Sequence, residues 1–215
     1  MDFQNVFTQV TKLSIFSIGL PIACCLIRFK TLNHSLRVLF LYLIVSAFID
    51  ALSYALAKHH IENLMLRHVF TIAEFTFISY FFALLFGNPK FKSVIFSFYI
   101  FYAAMSSYIL FFLGRYNKPD NILSTAEACF VIIFSFAYFF KVILNNPSRR
   151  IPLYYSWFIS AFLLYFCLAF AIFVFSRRIE SGNELVYNRL YILHLLGSIT
   201  YNILIAVGVW KSKTV

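Results

Sequence analysis

Seven stretches of about 20 mostly apolar residues succeed one another along this chain, and that pattern decides the fold class before any residue is considered singly. Lipid offers the backbone no hydrogen-bonding partner. A spanning segment must therefore bond its own N–H and C=O groups as a helix does, or join a closed barrel. Barrel strands are roughly ten residues long and alternate in polarity, whereas these runs are long and unbroken. The reading is all-α: a polytopic membrane protein with seven transmembrane helices near residues 8–27, 36–57, 69–87, 93–113, 122–140, 153–175 and 190–210. Residues 1–215 then form one seven-helix transmembrane domain with no soluble domain.

The breaks between the runs have the right chemistry. They fall at Arg28 to Arg37, Lys58 to His68, Asn88-Pro89-Lys90, Arg115 to Asn121, Asn145 to Pro152 and Arg177 to Arg189, the last within the longest connection, Ser176 to Arg189. Asn88-Pro89 and Asn146-Pro147 stop their helices because proline lacks an amide donor and restricts the residue before it. Composition agrees: 12% of residues are charged, against about a quarter in a soluble domain. The net charge of +10 is spread along the membrane flanks rather than gathered on a basic module, so no nucleic-acid partner is expected. Cys24, Cys25, Cys129 and Cys167 lie in apolar runs without metal spacing and read as buried small hydrophobes. Met1-Asp2-Phe3 has no basic n-region, so the segment reads as a helix rather than a cleaved signal.

Orientation follows from loop lysines and arginines, which favour the cytoplasm. One side carries Arg28, Lys30, Arg37, Lys90, Lys92, Lys141, Arg149, Arg150, Lys211 and Lys213. The other carries the smaller set Lys12, Lys58, Arg67, Arg115, Lys118, Arg177, Arg178 and Arg189, together with Asp2, Glu62, Asp120, Glu180 and Glu184. The N-terminus is expected outside and the C-terminus in the cytoplasm. Trp157, Tyr154, Tyr155 and Trp210 then fall at the cytoplasmic interface, where amphipathic rings are favoured.

With the loops removed, Asp50, Glu74 and Glu127 remain inside spans, with His194 and Lys12. Ionisable groups in lipid cost roughly 2.5–3.5 kcal/mol at a helix centre and usually face the bundle interior. Counted from the outer ends of their spans at 1.5 Å per residue, all five lie within about one helical turn of each other, roughly 6–10 Å below the outer surface. Each has polar company on its own face: Ser46, Ser53 and Tyr54 with Asp50, Thr71 with Glu74, Ser124 with Glu127. His194 heads a stripe of Ser198, Tyr201 and Asn202. Thr71-Ile-Ala-Glu74 and Ser124-Thr-Ala-Glu127 share a spacing that suggests a repeated hairpin, as transporters often contain.

The span 190–210 has no lysine for a retinal Schiff base, and neither Asp-Arg-Tyr nor Asn-Pro-x-x-Tyr occurs. The two glutamate hairpins, His194-Leu-Leu-Gly-Ser198-Ile-Thr-Tyr-Asn202-Ile-Leu and the later Gly208-Val-Trp210 do resemble a group of bacterial seven-span membrane proteins of about this length. That resemblance implies a bacterial inner membrane and brings no activity with it.

Three functions fit these residues. The first is an outward-facing acidic cavity that binds a cation or small polar ligand for sensing or transport. Its candidate residues are Asp50, Glu74, Glu127, His194, Lys12, Ser198, Asn202, Thr71 and Ser124. The second is an intramembrane enzyme acting on lipid, with Glu74, Glu127, His194 and Asp50 holding a divalent metal, although no motif demands a cofactor. The third is a structural subunit whose acids lock helices together. The expected partners are the lipid bilayer and, for sensing or assembly, a second protein, since the loops are too short to house an output domain.

Overall fold

The computed structural model describes residues 3–61, 63–112, 121–144, 152, 154–180 and 184–212. Among these the chain is helical with no strand, and seven helical spans are long and apolar enough to cross a membrane. The elements are α1 (Phe3–Ser17), α2 (Gly19–Ile27), α3 (His34–Lys58), α4 (Leu64–Phe86), α5 (Pro89–Ser107), α6 (Asn121–Leu144), α7 (Tyr154–Glu180) and α8 (Glu184–Lys211). Large apolar side chains point away from the protein along the spans: Phe16 is 77% exposed and Phe111 78%. Such a surface suits contact with lipid, not water.

Local chemistry sets the boundaries. Asn33 caps α3, its side-chain oxygen accepting from the Leu36 amide at 3.0 Å. Gly87, at φ +64°, closes α4 in the left-handed conformation that glycine adopts freely. Asn88 then caps α5 by accepting from the Lys90 amide at 2.9 Å, with Pro89 at the first helical position, where its missing donor costs nothing. The second Asn-Pro stop, Asn146-Pro147, lies outside the described residues. So do Arg115, Lys118, Arg149, Arg150, Lys213, Asp2, Glu62 and Asp120 of the orientation count.

Two boundary expectations need correction. The first span is two helices, α1 and α2, interrupted at Ile18. Pro21 has no amide to offer the Ser17 carbonyl one turn back, which explains the break. The helices also outrun the apolar stretches. α4 begins at Leu64 rather than near 69, α7 continues to Glu180, and α8 starts at Glu184, so most of the expected Ser176–Arg189 loop is helical. Hydropathy measures the part in lipid, whereas backbone hydrogen bonding carries a helix on past the interface.

The helices gather into two compact units. One comprises Asn33–Glu127, with α3 packed on α4 and α4 on α5, which continues into a π turn at Tyr108–Phe112. Its core is aromatic: Phe75 lies against Tyr102 at a ring separation of 4.3 Å, and Phe82 and Phe86 continue the stripe. The other comprises Met1–Leu32 and Ala128–Val215, in which α8 packs against α1, α2 and α7. Two glycines of α8 let α7 approach: a Cβ at Gly197 would meet Leu168 Cδ1 at 2.7 Å, and one at Gly208 would meet Phe158 Cε1 at 2.7 Å. At one end of this unit Arg28 donates to the Ser212 carbonyl at 2.6 Å and lies 4.9 Å from the Trp210 ring centre. Lys211 stands 4.8 Å from that of Trp157. Each tryptophan thus meets a basic side chain at cation–π distance.

Candidate functional site

The three intramembrane acids all belong to the Asn33–Glu127 unit and come from different helices. Asp50, on α3, is exposed; Glu74, on α4, is half-buried; Glu127, on α6, is 3% exposed. The Arg67 guanidinium is an opposite charge that acts on Asp50.

Their hydrogen bonding differs sharply. Glu74 Oε1 accepts from the Tyr42 hydroxyl at 2.7 Å, a link between α3 and α4. The Oε1 of Glu127 is buried with no hydrogen-bond partner among the described residues. A buried polar oxygen left in this state costs the fold free energy, and in native structures it asks for an explanation.

The expected polar companions fare unevenly. Thr71 spends its hydroxyl on its own helix, donating to the Arg67 carbonyl at 3.0 Å, while Ser124 is half-buried on α6. Beside Asp50, Ser46 is buried, the Ser53 carbonyl accepts from Asn63 at 3.3 Å, and Tyr54 is exposed.

Lys12, His194, Ser198 and Asn202 belong to the other unit. Lys12 is exposed on α1 and Ser198 half-buried on α8. The His194 ring packs at 5.3 Å from Tyr165 and 6.3 Å from Tyr191. Asn202 is buried and donates to Ser17 Oγ at 2.7 Å, tying α8 to the interruption in the first span. Among the described residues no three His, Cys, Asp or Glu side chains are gathered so as to hold a metal ion.

Three contributors escaped the sequence reading. Tyr42 supplies the donor to Glu74, and the spacing Tyr42, Ser46, Asp50 along one face of α3 was the available signal. His68, assigned to a loop because the apolar run opens at Val69, is buried in α4 at 6% exposure with Nε2 unpartnered among the described residues. Ser17 had no visible signal beyond its distance of one turn from Pro21. No family model, curated protein or solved structure matches the chain.

Proposed function

We propose that this multi-pass membrane protein binds a cation or a small cationic ligand in an outward-facing acidic cavity formed around Asp50, Glu74 and Glu127, for transport or for sensing. The observation that supports the reading is the Glu127 carboxyl, buried with one oxygen that meets no hydrogen-bond partner among the described residues. Three acids against the Arg67 guanidinium leave negative charge that protons, a metal ion or an organic cation must meet. Transport needs no second protein; sensing would run through a partner. The N-terminus outside, the C-terminus in the cytoplasm and a bacterial inner membrane complete the proposal. Its support is the excess of loop cations and the resemblance to bacterial seven-span proteins.

The Tyr42–Glu74 bond favours a second reading, in which acids serve as internal ties between helices. Thermal unfolding of the purified protein separates the two. Sodium, potassium, magnesium, calcium and methylammonium would be titrated at several fixed pH values against the parent and Glu127→Gln. Binding predicts a parent melting temperature that climbs with one of these cations or with acidity, as ligand linkage requires, about 2.7 kcal/mol at 100 times Kd. Glu127→Gln should melt at or above the parent and lose the climb. A Gln variant melting several degrees lower, with a parent that no cation or pH shifts, would leave only the structural tie.

A further inference from the structure

We infer that the ends of α2, α7 and α8 that meet around Arg28, Trp157 and Lys211 bind the headgroup of an anionic phospholipid, with Arg28 and Lys211 holding its phosphodiester. The site lies in the unit of Met1–Leu32 and Ala128–Val215 and does not depend on the acidic residues of the proposal above.

Depth is the first argument. Three membrane spans have an end here: the first finishes at Ile27, the sixth starts at Tyr154 and the seventh finishes at Lys211. Tryptophans and cations at the ends of spans stand level with lipid headgroups, whichever way the chain is threaded. Printed side-chain contacts join these three ends. Arg28 donates to the Ser212 carbonyl at 2.6 Å and lies 4.9 Å from the Trp210 ring centre, so it touches the residues on both sides of Lys211. Lys211 Nζ in turn lies 4.8 Å from the ring centre of Trp157. Two cation–ring pairs therefore sit next to each other.

Charge is the second. A ring face attracts a cation without neutralising it, and no carboxylate among the described residues reaches Arg28 or Lys211. The sequence supplies none nearby: no acid occurs between Asp2 and Asp50, between Glu127 and Glu180, or after Glu184. Glu180 and Glu184 stand at the opposite ends of α7 and α8. Lys30, in the turn that follows α2, adds to the positive surplus. The C-terminal end of α8 would by itself repel an anion, but its last carbonyls are occupied. Ser212 Oγ donates to the Val209 carbonyl at 2.6 Å, and Arg28 takes the Ser212 carbonyl.

Surplus positive charge at headgroup depth is complementary to a phosphodiester. A guanidinium offers paired N–H donors to phosphate oxygens, and an ammonium adds a compact charge beside it. A zwitterionic lipid carries its own ammonium and gains less from the two cations. Leu26, Ile27 and Trp210 are exposed and give the acyl chains an apolar surface that a soluble phosphate would leave uncovered.

Trp157 and Trp210 are the two tryptophans of the chain, so its tryptophan fluorescence reports this site alone. The full chain in phosphatidylcholine vesicles would be titrated with lipid brominated in the upper acyl chain, which quenches tryptophan on contact. Brominated phosphatidylglycerol should reach half quenching at a several-fold lower mole fraction than brominated phosphatidylcholine. Lys211→Gln should bring the two curves together, and Lys211→Arg should keep them apart. Lys58→Gln, which removes a cation from the end of α3, should leave them as in the parent. Coincident curves in the parent, or curves still apart in Lys211→Gln, would overturn the site. Coincident curves in Lys211→Arg would trace the selectivity to something other than charge, and coincident curves in Lys58→Gln to the net charge of the whole chain; either overturns it. A large excess of glycerol 3-phosphate in the medium should not relieve quenching by brominated phosphatidylglycerol. Full relief would give the site to a soluble phosphate and end the lipid assignment.

Discussion

Glu74 accepts the Tyr42 hydroxyl, whereas the Oε1 of Glu127 meets no hydrogen-bond partner among the described residues. That difference is testable at Tyr42, whose ring is 4% exposed and whose hydroxyl meets Glu74 at 2.7 Å. Tyr42→Phe keeps the ring and removes the bond, so it should lower stability by about 1–3 kcal/mol, the usual cost of stranding a buried polar partner. Glu127→Gln, by contrast, has no hydrogen bond at Oε1 to lose among the described residues. Equal melting of Tyr42→Phe and parent would mean that water already serves Glu74. The acids themselves were legible in the sequence, because an ionisable group in an apolar run stands out and its depth can be counted. Their partners were not. Which α3 side chain meets Glu74 depends on how α3 is rotated about its axis and placed along it against α4, and the sequence gives no bearing on either. His68 was lost for a related reason: a residue one position outside an apolar run looks like a loop residue, although the helix that buries it starts four residues earlier.

At the level of elements, the number of membrane spans and their approximate positions could be read because a bilayer imposes a length. The ends could not, since nothing in hydropathy tells a helix where to stop once it has left lipid. Packing between helices was not legible in the sequence, although two glycines of α8 permit it. The ring of Phe158 is 0% exposed and lies where a Cβ on Gly208 would come within 2.7, 2.9 and 3.1 Å of its atoms. Gly208→Ala should therefore part α7 from α8 and cost about 1–3 kcal/mol, as overpacking of a filled interior does. Gly19 has nothing within 4 Å of its would-be Cβ, and Gly19→Ala should melt with the parent or slightly above it. Melting curves of the two variants in the same detergent make the comparison, and equal curves would show that Phe158 yields at no cost.

For the whole molecule, the proposed orientation turns on a modest difference in loop cations, and it decides from which side the acids are reached. A fluorescent protein fused after Val215 should fold and fluoresce in the cytoplasm, and alkaline phosphatase at the same point should be inactive. Active phosphatase would reverse the orientation and open the acidic residues to the cytoplasm. The hydrogen bond between Ser17 and Asn202 joins residues 185 positions apart. At a bacterial or eukaryotic synthesis rate of about 5–20 residues per second, the ribosome needs roughly 10–40 s to go from one to the other. Throughout that interval the interrupted first span sits in the membrane without the side chain that ties Ser17 to α8. The earlier-made partner of this bond waits for one translated much later.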